Sequence, residues 1–210
     1  MIIGIAILCF FALAFACPPD MVDLGKFCID KYEAPNLQGQ KPFVAQTATD
    51  GEEWCRNNNK RLCRENEWLF ACEGIEKRKY PYGENYLTGG CNDQKAWRTP
   101  NWSLIQKFPL PIGQQEIAML NQAAGSGNYL ECVTSEGVYD LGGNVSEWVQ
   151  RTEPHTTPHA HVMMGCYWSG CYSNNRGKEL SICRGTNAGH PGVRGQFRTY
   201  EAGFRCCTDK

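Results

Sequence analysis

The stretch Gly137 to Trp148, GVYDLGGNVSEW, contains a Gly-Gly-Asn corner followed by an acid and an indole. Gly142 and Gly143 permit backbone angles that other residues avoid, and Asn144 is among the few side chains that tolerate them. The chain is therefore predicted to turn sharply here. The turn presents Glu147, whose carboxylate could hold a hard cation such as calcium with nearby carbonyl oxygens, or could simply cap the corner. The indole that follows is of the size that anchors a core.

Two further segments carry motifs, WCRNNNKRLCRENEWLFAC from Trp54 to Cys72 and GFRCC from Gly203 to Cys207. Together with the corner they resemble the formylglycine-generating enzyme family, also called the sulfatase-modifying factor family. That family has a G-K-R-L-P-T-E-x-E-W element, a Y-P-W-G turn, a G-L-Y-D-M-x-G-N-V-x-E-W corner, an R-G-G-S-W strand and a closing G-F-R. The corresponding stretches here, in the same order, are Lys60 to Trp68, Tyr80 to Gly83, Gly137 to Trp148, Gly165 to Trp168, and Gly203 to Arg205. Several motifs in the right order are far more specific than any one of them.

The resemblance covers roughly residues 21 to 207 and implies an α+β fold, the C-type lectin-like variant of this family, with much fixed loop. From the residues themselves, helices are predicted at Ala48 to Asn58, capped by Thr47 or Thr49, and at Glu65 to Glu73. Short strands are predicted at Val133 to Tyr139, Ser146 to Arg151, Val162 to Trp168 and Gly203 to Cys207. The Pro-, Gly- and Asn-rich stretch from Tyr80 to Gly127 is predicted to be irregular.

The composition is that of one loop-rich domain, with 22 Gly, 11 Pro and 6 Trp in 210 residues. The 21 basic and 22 acidic residues give a formal charge of -1, so nothing indicates a nucleic-acid partner. Neither a phosphate-binding loop nor a G-x-S-x-G serine nucleophile motif is present in the sequence. We expect a monomer.

The first sixteen residues, Met1 to Ala16, are almost wholly apolar and end in a small-x-small pattern that a signal peptidase cuts. We therefore expect an export signal at residues 1–16 and a mature domain at 17–210. An uncleaved anchor is an alternative, and Cys17, directly after the cut, could carry a lipid. Each alternative places the domain outside the cytoplasm, as a periplasmic, secreted or lipid-anchored protein.

Export to an oxidising compartment changes the chemical state expected of the cysteines. Thirteen are present, Cys9 lies within the expected signal, and the remaining twelve form an even set in an oxidising compartment. A disulfide framework is the default, since the sequence has no C-x2-C pair of the kind that favours zinc. Spacing alone leaves the connectivity open.

The family resemblance implies two pairs, Cys55 with Cys206 and Cys72 with Cys183. Two further pairs are expected only from sequence proximity or as a guess, Cys63 with Cys207 and Cys91 with Cys132. Four cysteines stay unassigned by this reasoning: Cys17, Cys28, Cys166 and Cys171.

Enzymes of this family oxidise a sulfatase cysteine to formylglycine with oxygen and a copper(I) ion, which two thiolates hold in a C-x4-C arrangement. Cys166 and Cys171 have that spacing and are the thiolate candidates here. The register argues against them. With Gly165 and Trp168 matched to the ends of the family's G-G-S-W, the catalytic positions fall on Gly170 and Asn175, and neither carries sulfur.

Family members hold calcium at the G-N-V-x-E corner, so the resemblance implies a calcium site at Gly143, Asn144, Val145 and Glu147. A second calcium site would involve Asn92, although its remaining ligands cannot be placed.

Three histidines, His155, His159 and His161, lie within seven residues and could bind copper or zinc. The alternative is a variable surface loop, because Pro154 and Pro158 oppose the helix that would align the first two imidazoles.

Two hypotheses about function remain. In the first, the chain is an exported, catalytically silent binding or accessory module that contacts a protein or a glycan. In the second, it is a copper-dependent oxidase that converts a cysteine of a target protein to formylglycine. Cys63 in place of the family's proline, Cys166 in place of glycine and Tyr167 in place of serine favour the first. They add crosslinks and remove a known active-site arrangement.

Overall fold

The computed structural model describes residues 16–152, 159–173, 177–184 and 196–210. In these ranges the chain forms nine short strands and four helices. The strands are β1 Met21–Asp23, β2 Phe27–Asp30, β3 Arg61–Leu62, β4 Ser146–Gln150, β5 His161–Met164, β6 Cys171–Ser173, β7 Gly177–Glu179, β8 Ala202–Phe204 and β9 Cys206–Asp209. The helices are α1 Ala48–Asn57, α2 Glu65–Glu73, α3 Trp102–Ile105 and α4 Pro111–Leu120.

The two ends of the domain meet in an antiparallel sheet of order β1-β2-β9-β3. Its last strand in sequence, β9, lies between β2 and β3, so that Cys207 is the register partner of both Ile29 and Arg61. The N-terminal hairpin and the C-terminal strand therefore stabilise each other.

A second sheet, of order β5-β4-β8, carries the end of the glycine corner. Its central strand β4 is antiparallel to β5 and parallel to β8, and Glu147 lies opposite both Met164 and Gly203. This register places the chain just after β8 next to the carboxylate of Glu147. The strands β6 and β7 form a separate two-stranded sheet.

The helix α1 begins with a capping box, in which Thr47 accepts a hydrogen bond from the Asp50 amide and Asp50 accepts one from the Thr47 amide. Its buried face includes Gly51, where a Cβ atom would lie 3.0 Å from side-chain carbons of Leu62 and Phe204. The absence of a side chain therefore lets α1 pack closely against β3 and β8.

The core consists of three clusters of buried apolar side chains, each with one fully buried tryptophan. These are Trp68, Trp148 and Trp168, with exposed fractions of 0%, 0% and 1%. All three come from the family motifs, so those motifs supply the main packing elements. Truncating a residue of this kind to alanine typically costs about 3–5 kcal/mol.

Six disulfides crosslink the described part of the chain. They are Cys17–Cys28, Cys55–Cys206, Cys63–Cys207, Cys72–Cys183, Cys91–Cys132 and Cys166–Cys171. Four of them are the pairings expected from the sequence. In this state the Cys17 thiol is bonded to Cys28 and is not free to carry a lipid.

The two predicted helices before Gly74 are confirmed, with Thr47 as the cap of the first. The predicted strand from Val133 to Tyr139 is wrong, because these two residues form only an isolated bridge. Between them the Thr134 amide donates to the Val138 carbonyl and the Gly137 amide donates to the Thr134 carbonyl, so the segment is a turn. The interval from Tyr80 to Gly127 is not wholly irregular, since α3 and α4 lie in it. No helix in the described ranges is both long and apolar enough to cross a bilayer.

Candidate functional site

The glycine corner folds against the loop that contains Asn92. Gly143 has φ +100°, and a Cβ atom there would lie 2.7 Å from the Asn92 carbonyl oxygen. Asn144 follows with φ +57° and donates its amide hydrogen to the same carbonyl at 2.8 Å. Glycine is therefore required at 143 both for the backbone angle and for the close approach of the two loops.

The Asn144 side chain is fully occupied by protein partners. Its Oδ1 accepts hydrogen bonds from Asn92 Nδ2 and from the Ala124 amide, both at 2.9 Å. Its Nδ2 donates to Glu33 Oε2 at 2.7 Å. The corner residue thus joins three loops that are distant in sequence.

Behind the corner, Glu147 is engaged by a cation. Arg205 donates from Nη2 to Glu147 Oε1 and from Nε to Oε2, each at 2.7 Å, and Trp68 Nε1 also donates to Oε2 at 2.7 Å. The side chains of Arg205 and Glu147 are 0% and 1% exposed. Although burial disfavours its charge, the carboxylate of Glu147 raises the pKa of Arg205, which stays protonated.

Two more carboxyl groups share this interior. Glu33 accepts from Ser126 Oγ and from the Val145 amide, and Asp140 accepts from the Gly127 amide. Burial, reinforced by the charges of Asp140 and Glu147, raises the pKa of Glu33 well above its usual range. Burial also raises the pKa of Asp140 to about 7.

The arrangement is therefore one guanidinium among three buried carboxyl groups, those of Glu33, Asp140 and Glu147. Such a cluster is stable only if protons or further cations offset the excess negative charge. Burial raises the pKa of Glu33 and of Asp140, which favours their protonated forms when no further cation is bound.

Two of the expected calcium ligands, Glu147 and Asn144, already have protein partners in this arrangement. Both oxygens of Glu147 and Oδ1 of Asn144 already accept hydrogen bonds from protein donors, and the Asn144 carbonyl accepts from the Trp168 amide at 3.0 Å. Calcium prefers six to eight oxygen ligands, and at Glu147 it would compete with the hydrogen bonds from Arg205. Within the described residues no three Asp, Glu, His or Cys side chains are grouped to hold one metal ion.

Asn92, expected at a separate second calcium site, belongs to the same corner. Its Nδ2 donates to Asn144 Oδ1 and to the Gln122 carbonyl at 3.1 Å. The side chain is 2% exposed. It holds the corner against the loop before Ala124 rather than facing solvent.

The thiolate candidates Cys166 and Cys171 form a disulfide across the turn from Tyr167 to Gly170. They are 0% and 1% exposed. Gly170 stands at one of the family's catalytic positions, and Asn175 lies outside the described residues. In this state neither sulfur is a thiolate.

Only two of the three histidines, His159 and His161, lie within the described residues. His161 lies in β5, where its Nε2 is 2.8 Å from Glu52 Oε1. His159 is described but belongs to no metal-binding group, and His155 lies outside the described residues.

The sequence did not identify Glu33, Asp140 or Arg205 as members of the site. Asp140 lies two residues before Gly142 and Arg205 belongs to the closing G-F-R, so both stand inside motifs of the family resemblance. Glu33 lies in no motif, and only its position in the fold reveals it.

A model of the sulfatase-modifying factor enzyme 1-like domain matches residues 28–210. The chain is 29% identical over 132 residues to the mouse (Mus musculus) protein named inactive C-alpha-formylglycine-generating enzyme 2, and 28% identical to its cattle (Bos taurus) counterpart. Each match covers 60% of this chain, but only 37% and 38% of the relatives, so the chain spans little more than a third of their length.

Two solved structures have the same fold. CarF is similar with a TM-score of 0.58 and 11% identity, over 88% of this chain and 86% of CarF. PvdO from Pseudomonas aeruginosa is similar with a TM-score of 0.53 and 14% identity, over 88% of this chain and 80% of PvdO. The α+β, C-type lectin-like fold class expected from the motifs is thereby confirmed.

Proposed function

Because the chain belongs to the sulfatase-modifying factor enzyme 1-like family, we propose that it is a catalytically silent binding module of that family, acting outside the cytoplasm on a protein or glycan partner. Family membership alone does not decide function, so the proposal depends on the site.

The observation that carries the proposal is the Cys166–Cys171 disulfide. A copper(I) site of the family's kind needs two thiolates, and here the two cysteines with the required spacing are bonded to each other and buried. The other ten cysteines in the described ranges are also paired. The mouse and cattle relatives, which are named inactive, support the same conclusion.

The extracytoplasmic location is supported by the number of crosslinks. Six disulfides persist in oxidising compartments and are rare in the reducing cytosol. The apolar residues 1–16 agree with export.

Two exposed tryptophans support the proposal that the chain has a surface for a partner. Trp97 and Trp102 are 52% and 43% exposed, and the Trp102 ring centroid lies 6.1 Å from that of the buried Tyr200. Exposed aromatic side chains anchored on a rigid base are common at protein and glycan interfaces.

The test is a thiol count combined with an oxidation assay. The exported protein is denatured without reduction and alkylated, and labelled peptides are located by mass spectrometry. We expect no label at any of the twelve cysteines from Cys17 to Cys207, and no conversion of a cysteine-containing peptide when copper(I) and oxygen are supplied. The alternative, a formylglycine-generating oxidase, is supported only by the Cys166 and Cys171 spacing.

Labelling confined to those two residues, with peptide conversion that is lost in Cys166→Ser, would establish the oxidase and refute the silent module. A matched control is Cys91→Ser, which removes a disulfide outside that turn and should not affect genuine conversion.

A further inference from the structure

A second feature, which shares no lining residue with the corner or with the Cys166–Cys171 turn, is a cavity of about 730 Å³ beside α2. Its apolar floor is made by Leu24, Phe27, Phe70 and Ile75. The Phe27 and Phe70 rings meet edge to face at 6.2 Å. Ile75 is 86% exposed and extends the apolar surface of the cavity into solvent.

The walls of this cavity are fixed before any ligand binds. In the β1–β2 turn, Asp23 Oδ1 accepts a hydrogen bond from the Gly25 amide at 2.8 Å, and the Leu24 amide donates to the Phe27 carbonyl at 3.0 Å. The disulfide Cys17–Cys28 adjoins Phe27. A preformed cavity of this size loses little entropy on binding and accommodates a small organic ligand.

The carboxylates on the polar rim are already paired with arginines. Arg61 donates to both oxygens of Glu67 at 2.7 Å, and Asp209 Oδ1 accepts from Arg61 and Arg64 at 2.7 and 3.0 Å. Hydrogen bonds from Arg61 and Arg64 lower the pKa of Asp209 to about 2, so this carboxylate is ionised and already paired. Lys26 also lines the cavity and has no ion-pair partner among the residues described. Of the four charged side chains that line the cavity, Arg64, Glu67 and Asp209 are therefore ion-paired within the protein, and Lys26 has no such partner in the described part of the chain.

We propose that this cavity binds a small amphiphilic carboxylate, with its apolar chain or ring on Phe27, Phe70 and Ile75 and its headgroup between Lys26 and Arg64. The unpaired charge of Lys26 favours a monoanion over a neutral or cationic ligand. The apolar floor selects against small hydrophilic anions such as acetate. This inference is independent of whether the family's oxidase chemistry is retained.

The experiment is a calorimetric titration of the intact, oxidised protein with octanoate, 1-octanol and octylammonium, which share one chain and differ in headgroup charge. We expect octanoate to bind at least about threefold more tightly than octanol, and octylammonium more weakly than both. The preference for octanoate should shrink in high salt.

Three exposed-site variants make the test specific. Lys26→Gln should remove most of the preference for octanoate and leave octanol binding unchanged. Ile75→Ser should weaken both ligands, whereas Lys41→Gln, an exposed lysine outside the cavity, should change neither. Circular dichroism checks that each variant is folded. Equal affinity for the three headgroups, no binding of octanoate, or an Ile75→Ser protein that binds normally would overturn the proposal.

Discussion

Arg205 and Glu147 form a closed ion pair in the interior, with each carboxylate oxygen 2.7 Å from a guanidinium nitrogen and both side chains excluded from water. The pair joins β4 to the chain between β8 and β9, and Arg205 also donates to the Tyr139 carbonyl at 2.9 Å. Its guanidinium is the cation that faces Glu33 and Asp140 as well. The closing G-F-R motif therefore has an electrostatic role at the glycine corner.

Replacing Arg205 with methionine should destabilise the protein by about 3–5 kcal/mol, because it leaves Glu147 buried and unpaired. Urea unfolding of the oxidised protein measures this change. The double variant Arg205→Met, Glu147→Gln should recover part of the loss, since it removes the orphaned charge. If Arg205→Met alone lowers the free energy of unfolding by less than about 1 kcal/mol, the ion pair contributes little to stability.

Two glycines allow backbone strain to be separated from steric contact. Gly143 and Gly137 have similar angles, φ +100° and +96°, but a Cβ atom at 143 would lie 2.7 Å from the Asn92 carbonyl, whereas at 137 it would meet nothing within 4 Å. Gly137→Ala should therefore cost about 1–2 kcal/mol from strain alone. Gly143→Ala should cost distinctly more, because the Asn92 loop must also move. Equal losses in urea unfolding would mean that the close approach is unimportant.

Calcium should not stabilise the corner, because Arg205 occupies the carboxylate that the ion would need. We expect the thermal midpoint to be the same in excess calcium and in chelator. An ion present at about a hundred times its dissociation constant would otherwise add about 2.7 kcal/mol, which raises the midpoint by several degrees. A saturable increase with calcium, and none with an equal concentration of magnesium, would restore the calcium site that the family resemblance implies.

Much of the fold could be predicted because the informative residues act locally. The Thr47 cap, the helix that carries Trp68 and the turn at Gly143 follow from side-chain and backbone preferences of neighbouring residues. The strands β1 and β2 were missed because they are only three and four residues long, too short for a periodic pattern. The helix α4 was missed because it begins at Pro111 and contains Gly113, residues more typical of loops.

The candidate site was harder to predict than the fold because its residues meet only after the chain has folded. Glu33 and Asn144 are 111 residues apart in sequence, yet their side chains lie 2.7 Å apart. The calcium prediction came from the family resemblance, and no local pattern indicates that Arg205 pairs with Glu147.

The buried carboxyl groups make stability depend on pH in a specific direction. The pKa of Asp140 rises from 3.8 to about 7, mainly through burial, so the folded state keeps a proton that the unfolded chain releases between those values. Glu33 acts in the same direction. The free energy of unfolding should therefore fall as the pH rises from about 5 to about 7, with at most about 1.4 kcal/mol per pH unit from one proton. Carboxylates whose pKa values are lowered by folding, such as Asp209, change the free energy of unfolding only at pH values below this range.

Asp140→Asn should flatten that slope, because the amide holds no titrating proton while its oxygen can still accept the hydrogen bond from the Gly127 amide. Asparagine also tolerates the φ of +60° at this position. Urea unfolding at several pH values between about 5 and 7 gives the slope for each protein, with the exposed Glu84→Gln as the control for removing an acid elsewhere. If Asp140→Asn and Glu84→Gln leave the same slope as the parent, the pH dependence arises outside the corner, and Asp140 is ionised throughout.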